Sequence, residues 1–305
     1  MKRKAAFIFP GQGAQYIGMG KDFFEGTREA RSTFEEANDI LSYSITDLIF
    51  SGSEEELMLT KNAQPAIFVT SVAIMRAVQA RMPDLTPVCA SGLSLGEYSA
   101  LYAAQKISFK ECLELVRWRG SFMHEASVRH PGTMLAVLGL SEEEIASAGF
   151  FIANVNTPGQ IVIAGTLEDM ARAREVLSLR EGVRVIPLKV AGAFHSPLMG
   201  YAKERLLPMI EKTSIEKSPI DLVMNVVGTV VEEVGEMKKN LTDQVVSTTR
   251  WVECVKTLMQ KTDTFIEFGP SQVSGMVRKI GVPKEKLHSI STLRELEEMY
   301  DTISR

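Results

Sequence analysis

The sequence predicts an α/β protein with a parallel sheet, interrupted by a smaller unit that carries its own sheet. Three observations point there. Strand-like and helix-like segments alternate along the chain, as they do in successive βαβ units. Between 133 and 190 the order changes to β-α-β-β-α-β, the ferredoxin-like arrangement. Turn chemistry is concentrated on both sides of that stretch, at His130-Pro131-Gly132 and at Gly192 with Pro197. The small domain is therefore expected at 131–192, inserted into a large domain made of 1–130 and 193–305. A cleft is expected where the two meet.

The elements follow in order. Ala5–Phe9 is an apolar run closed by Pro10-Gly11 and reads as a buried first strand. Serine–glutamate pairs at Ser53/Glu56, Ser108/Glu111 and Ser141/Glu144 each precede a helical pattern. In such a box the serine oxygen and the glutamate carboxylate satisfy backbone N–H groups that the first turn leaves free. A weaker strand signal at Pro87–Ala90 leads into a helix over Glu97–Gln105, and a further helix runs from Glu111 to about Ala126. Inside the insertion, Thr133–Leu140 reads as a strand and Ser141–Ala148 as a helix. Phe150–Val155 and Ile161–Gly165 form strands around the turn Asn156-Thr157-Pro158-Gly159. Leu167–Leu179 then reads as a helix and Val183–Val190 as a strand.

Composition removes several function classes. The 305 residues are 45% hydrophobic and 24% charged, with 34 Lys+Arg against 38 Asp+Glu and a formal net charge of −4. That balance argues against a nucleic-acid binder, whose affinity needs many phosphate-neutralising cations. The best apolar stretch, Ala66–Met75, is interrupted by Thr70 and Ser71 and is shorter than the roughly 18 residues of a membrane span. The apolar stretch behind Met1-Lys2-Arg3-Lys4 is too short for a secretory signal. Cys89, Cys112 and Cys254 are odd in number and far apart, so neither a disulfide framework nor a metal site is indicated. A cytoplasmic, soluble enzyme is the expectation.

The sharpest local signal is Gly92-Leu93-Ser94-Leu95-Gly96, a G-x-S-x-G match between a strand and a helix. In that context a serine is presented at the tip of a strained elbow. The same five residues also suit a small-residue turn that packs a helix onto a strand. A serine nucleophile needs a base. Of His124, His130, His195 and His288, His195 follows a strand-to-loop exit in Gly192-Ala193-Phe194-His195-Ser196-Pro197, where catalytic groups gather. A structural histidine is the alternative for each.

Arg119 supplies a more physical argument. Cys112, Leu115, Val116, Phe122, Met123 and Ala126 make an apolar helical stripe, and position 119 falls within it. A buried, unpaired guanidinium is too costly to keep, so it needs an internal carboxylate or a cavity that receives an anion. If the partner is a ligand, the planar fork suits a carboxylate. Phe9-Pro10-Gly11-Gln12-Gly13 fails as a dinucleotide loop because Tyr16 stands where a third glycine is required. Such a loop at a strand tip is either a tight turn or a source of a backbone N–H for an oxyanion.

Together these segments resemble the malonyl-CoA:acyl carrier protein transacylase family. The matching stretches are Phe9–Gly13, Gln64-Pro65-Ala66, Gly92–Ala100, Arg119-Gly120 with Phe122-Met123, Asn156–Gly165, Gly192–Met199 and Phe268-Gly269-Pro270. They run in family order from about residue 5 to 275. The resemblance implies an α/β-hydrolase-like large domain with a ferredoxin-like small domain. It implies Ser94 as nucleophile, His195 as base, the N–H groups of Gln12 and Leu95 as oxyanion hole, and Arg119 as holder of the malonyl carboxylate. Gln64, Phe194 and Asn156 are implied as substrate-binding residues, and the backbone carbonyl of Arg250 as the group orienting the histidine.

The implied reaction is ping-pong transfer of malonyl from coenzyme A to the phosphopantetheine thiol of acyl carrier protein, for fatty-acid biosynthesis. A polyketide-pathway acyltransferase and a related acyl hydrolase or thioesterase are the alternatives. No metal or redox cofactor is implied, and a monomer is expected. Arg129, Lys189 and Lys203 are candidates for a basic carrier-protein patch. Two departures from the family pattern stand out: Leu93 replaces the usual histidine before the serine, and Thr249-Arg250 replaces Pro-Gln or Pro-Arg.

Overall fold

The computed structural model describes residues 3–304; Met1, Lys2 and Arg305, at the ends of the large-domain ranges, lie outside the described residues. The strands are β1 (Arg3–Phe9), β2 (Leu85–Gly92), β3 (Gly132–Leu138), β4 (Ile152–Thr157), β5 (Gln160–Thr166), β6 (Arg184–Pro187), β7 (Asp221–Leu222), β8 (Phe265–Phe268) and β9 (Leu287–Ile290). Among the described residues they form two sheets. One is five-stranded, in the order β7-β2-β1-β8-β9, and every pair in it is parallel. The other is four-stranded, in the order β4-β5-β3-β6, and antiparallel. The second order, with its βαββαβ succession, is the ferredoxin-like topology read from the sequence.

The period of two along β1 decides which side of the large sheet each residue packs against. Ala5, Phe7 and Phe9 join a core with the helices Thr60–Arg81, Gly96–Ala103 and Phe109–Arg129. Ala6 and Ile8 face the opposite way, onto Trp251, Cys254 and Val277 of the helices Trp251–Met259 and Ser274–Ile280. Because both faces are covered, β1 is buried almost throughout and shows no alternation of polar residues. The small sheet has a core of its own around Leu135, Ile145, Ile161, Met170 and Leu177.

The three capping serines sit at helix N-caps as expected, each accepting a hydrogen bond from the N–H three residues on. Only the Ser141/Glu144 pair, among these three, closes the reciprocal box. The helix expected at Glu97–Gln105 occupies Gly96–Ala103, and Gln105 follows it with a left-handed φ of 56°. The small sheet is stitched to a loop of the large one. Thr249 N–H donates to Ala153 O (2.8 Å), Val155 N–H donates to Thr249 O (2.9 Å), and Thr248 Oγ1 donates to Ile152 O (2.7 Å). A proline at 249 has no N–H to make the first of these bonds.

Candidate active site

β2 ends at Gly92 and the next helix begins at Gly96, so the chain reverses within three residues. Ser94 sits at the tip with φ 54°, a left-handed conformation uncommon outside glycine. The flanking glycines are steric requirements. A methyl on Gly92 would overlap the carbonyl of Gly96, and one on Gly96 would overlap the Phe9 and Pro10 carbonyl oxygens. The glycine loop after β1 thus lies directly against the elbow, and Leu93 N–H donates to Phe9 O at 3.0 Å.

His195 reaches the same point from the loop after β6. Its own backbone is left-handed, with φ 57°, and the residue is 3% exposed. Nδ1 lies 2.8 Å from Gln244 O, which can only accept, so Nδ1 carries the proton. The lone pair of Nε2 is then directed at Ser94 Oγ, 2.7 Å away. Burial first and the nearby Arg119 cation second push the His195 pKa down, against the Gln244 carbonyl, to about 4. The ring is therefore a neutral acceptor at neutral pH.

Arg119 is 1% exposed, and among the described residues no carboxylate lies within 4 Å of it. The internal salt bridge left open by its helical spacing is absent there. Its Nη1 donates to Gln64 Oε1 (2.7 Å), and its Nη2 donates to Gln244 Oε1 (2.8 Å) and Ser94 Oγ (3.0 Å). Nε has no partner. Burial lowers the arginine pKa, opposed by Tyr98 and Glu97, but guanidinium starts so high that it stays cationic.

Gln12 and Leu95 flank this group. The Gln12 side chain bridges Thr60 Oγ1 (3.2 Å) and Gln64 Nε2 (3.3 Å), which ties the glycine loop to the arginine's partner. Gln272 holds the same loop from the other side, accepting from Gly11 N–H (2.7 Å) and donating to Gln12 O (3.2 Å). Buried Glu267 on β8 in turn accepts the Gln272 N–H. Neither the Gln12 nor the Leu95 N–H donates to another group among the described residues. Two backbone donors are thus free on the two loops that meet at Ser94.

The structure brings Ser94, His195, Arg119, Gln64, Gln12 and Leu95 together. Phe194 is buried beside His195 in the main core. Asn156 lies at the end of β4, 7% exposed, with Oδ1 unpartnered. The expectation for Arg250 is corrected. The carbonyl bonded to the histidine belongs to Gln244, while Arg250 O caps the next helix by accepting from Cys254 N–H. Position 250 is held at the start of that helix, whereas Gln244 ends the helix Val234–Gln244, where carbonyls lack intrahelical partners. His124 and His130 lie on and at the end of the helix Phe109–Arg129, and His288 lies in β9. Leu93 packs into the apolar cluster with Ile8, Val223 and Trp251.

Two site residues went unread in the sequence. Gln244 is fully buried in line with Met237 and Leu241, a polar residue within an apolar stripe, the same signal that exposed Arg119. Asn225 has no such marker. It follows the two-residue strand β7, and its amide contacts the elbow: Oδ1 accepts Ser94 N–H (2.7 Å) and Nδ2 donates to Gly92 O (2.8 Å).

The model of the acyl transferase domain family matches residues 6–283. Malonyl CoA-acyl carrier protein transacylase of Bacillus subtilis (strain 168) is 41% identical over 288 residues, covering 91% of this chain and 90% of that protein. Among solved structures, the malonyl CoA-acyl carrier protein transacylase from Clostridium perfringens superposes with a TM-score of 0.91 at 35% identity, covering 99% of this chain and 98% of that one. A malonyl-transacylase in complex with its type II PKS acyl-carrier protein gives a TM-score of 0.90 at 33% identity, covering 98% of this chain and 99% of that one.

Proposed function

The chain belongs to the malonyl-CoA:acyl carrier protein transacylase family of acyl transferases, and from that membership we propose how its residues carry a malonyl group from coenzyme A to acyl carrier protein. The observation that carries the reading is the position of Ser94 Oγ, 2.7 Å from His195 Nε2 and 3.0 Å from Arg119 Nη2. A base and an anion-binding cation converge on one hydroxyl.

In the first half-reaction, His195 Nε2 takes the Ser94 proton as Oγ attacks the thioester carbonyl. The tetrahedral oxyanion lies against the Gln12 and Leu95 N–H groups, each such donor contributing about 2.7–4 kcal/mol to the barrier reduction. The C–S bond breaks, the imidazolium returns its proton to the leaving thiolate, and coenzyme A departs as thiol. In the second, the phosphopantetheine thiol gives its proton to His195 and attacks the malonyl ester, and Ser94 leaves with that proton. Coenzyme A and phosphopantetheine arrive with the substrates, and no step uses a metal or redox cofactor.

Arg119 provides the specificity. Its unpartnered Nε shares an edge with Nη2, the donor bonded to Ser94 Oγ. A malonyl carboxylate is proposed to meet that edge through two parallel hydrogen bonds, taking over the Nη2 hydrogen that otherwise goes to Ser94 Oγ. A hydrolase for monoacyl groups has no use for such a cation. Gln64 holds the guanidinium from Nη1, and Phe194 and Asn156 are proposed to line the acyl site.

The domain division at 131–192 belongs to the same reading, with the 248–249 loop bonding the two units beside His195. Arg129, stacked over Tyr201 at 4.4 Å, and exposed Lys189 are candidates for carrier-protein contact; Lys203 is paired with Asp243 at 2.7 Å. Among the described residues no helix is long and apolar enough to cross a membrane. With three buried free thiols, a reducing, cytoplasmic setting in fatty-acid synthesis is proposed.

Intact mass after exposure to malonyl-CoA, then to holo acyl carrier protein, tests the proposal. One malonyl group should be gained and then lost to the carrier, and Ser94→Ala should gain none. Rapid release of coenzyme A without carrier would make the protein a hydrolase instead.

A further inference from the structure

We infer that Asn225 is a positioning residue for acyl transfer: its side-chain amide braces the serine elbow, and Glu97 holds Asn225 in place. The inference rests on Ser94 being the nucleophile. A left-handed backbone at a non-glycine residue persists only where surrounding bonds over-determine it. Here one planar amide spans the bend, accepting from Ser94 N–H and donating to Gly92 O. Gln244 Nε2 donates to Ser94 O at 2.9 Å, so both backbone polar groups of Ser94 are bonded by side chains.

Asn225 is itself fixed at both ends. Its N–H donates to Glu97 Oε2, and its carbonyl accepts from Arg250 N–H at 2.9 Å. Glu97 and Asn225 are fully buried, so no water competes for these bonds. Glu97 stands three residues after Ser94 on the helix that the elbow opens, which closes a ring: elbow, helix, Glu97, Asn225, elbow. Leu95 N–H follows Ser94 directly, so fixing the Ser94 backbone also aims the oxyanion donor. Asn225 touches no reacting atom and acts through Ser94.

The test uses the full chain, with Asn225→Ala and Asn225→Asp measured for malonyl transfer to holo carrier protein and corrected for folded fraction by near-UV circular dichroism. Asn225→Ala should lower kcat about 10²-fold, the effect of a reacting group misplaced by about 1 Å, with KM changed less than about threefold. In Asn225→Asp the carboxyl copies the amide only when protonated, because only then does it donate to Gly92 O while accepting from Ser94 N–H. Its kcat relative to wild type should therefore rise as pH falls from about 8 to 5.5, within the range where burial raises carboxyl pKa values. Glu97, Cys254 and His195 face Asn225 and Ser94 in both proteins, so the ratio removes their common titration and reads the introduced carboxyl together with its coupling to them.

A ratio flat with pH overturns the inference, as does Asn225→Ala with kcat within about threefold of wild type. If Asn225→Ala does not fold, the pH profile of Asn225→Asp decides alone. Failure of the underlying reading looks different: malonyl mass on the wild type that survives in Ser94→Ala.

Discussion

Ser94 Oγ lies 2.7 Å from His195 Nε2, and both residues hold left-handed backbones, with φ of 54° and 57°. Each side chain is carried on the tip of a tight turn from a different part of the chain, 101 residues apart. Such strain in paired catalytic candidates is kept because the surrounding bonds leave the backbone no alternative.

The depressed pKa of His195 fixes the direction of the pH profile. As the proposed base, His195 must be neutral, and burial with the Arg119 charge disfavours the cation, so the acid limb moves below the ordinary 6.5 towards about 4. The pH dependence of kcat/KM for malonyl-CoA should be level through the neutral range, with its acid limb well below 6. A limb at the ordinary histidine value would contradict the buried, neutral imidazole. The same shift costs stability as pH falls from the unfolded value through the folded one.

Glu97 works in the opposite sense. Burial raises its carboxyl pKa to about 8, so it is neutral in the folded protein where the unfolded chain ionises near 4.5. Its contribution is complete below the unfolded value and disappears as pH rises through about 8. Glu97→Gln is neutral at all pH and keeps an acceptor for Asn225 N–H. The Tm of the wild type should drop relative to this variant between pH 5 and about 8.5; a constant difference would speak against a protonated carboxyl.

Removing the arginine should separate two acyl groups. Arg119→Ala is expected to slow malonyl loading by about 10²-fold or more, since charge-assisted bonds to carboxylate are lost, while acetyl loading falls much less. Stability should also decrease by about 1–3 kcal/mol, because Gln64 and Gln244 lose their buried donor. Equal losses for the two acyl groups would mean that the guanidinium only supports the fold.

The side chains of Arg250 and Gln244 should contribute unequally. Arg250→Ala should leave kcat within about twofold of wild type, because its side chain makes only a half-exposed ion pair with Glu142 at 3.7 Å. Gln244→Ala keeps the carbonyl bonded to Nδ1 but removes the bonds to Arg119 and Ser94 O. It should lower kcat about tenfold or more with an unchanged acid limb. A large loss in Arg250→Ala would give the arginine side chain a role in the site, since the backbone carbonyls of both positions survive either change.

Close approach of the two loops is tested by Gly96→Ala. The added methyl overlaps the Phe9 and Pro10 carbonyl oxygens and must push the glycine loop off the elbow. Displacing Gln12 N–H in this way should reduce kcat about 10²–10³-fold, as losing one oxyanion donor does. Near-normal activity would show that Gln12 is not part of the oxyanion hole.

Local pattern alone determined a large part of this protein. Short-range rules govern serine N-caps, the βαββαβ order, the glycine-flanked Ser94 and an arginine in an apolar stripe, so Ser141, Ser94 and Arg119 carried their meaning in neighbours within one or two turns. Position at a strand-to-loop exit singled out His195 among four histidines, and the family resemblance gave it the role of base and added Gln12 and Leu95. Tertiary structure alone decided which distant groups close the site. Gln244 O rather than Arg250 O meets the imidazole, and Asn225 braces an elbow 131 residues away. A backbone carbonyl has no residue-type signature, and a buried asparagine takes its role from whatever unpaired N–H the fold brings beside it. Those partners exist only once the sheet and its loops have assembled.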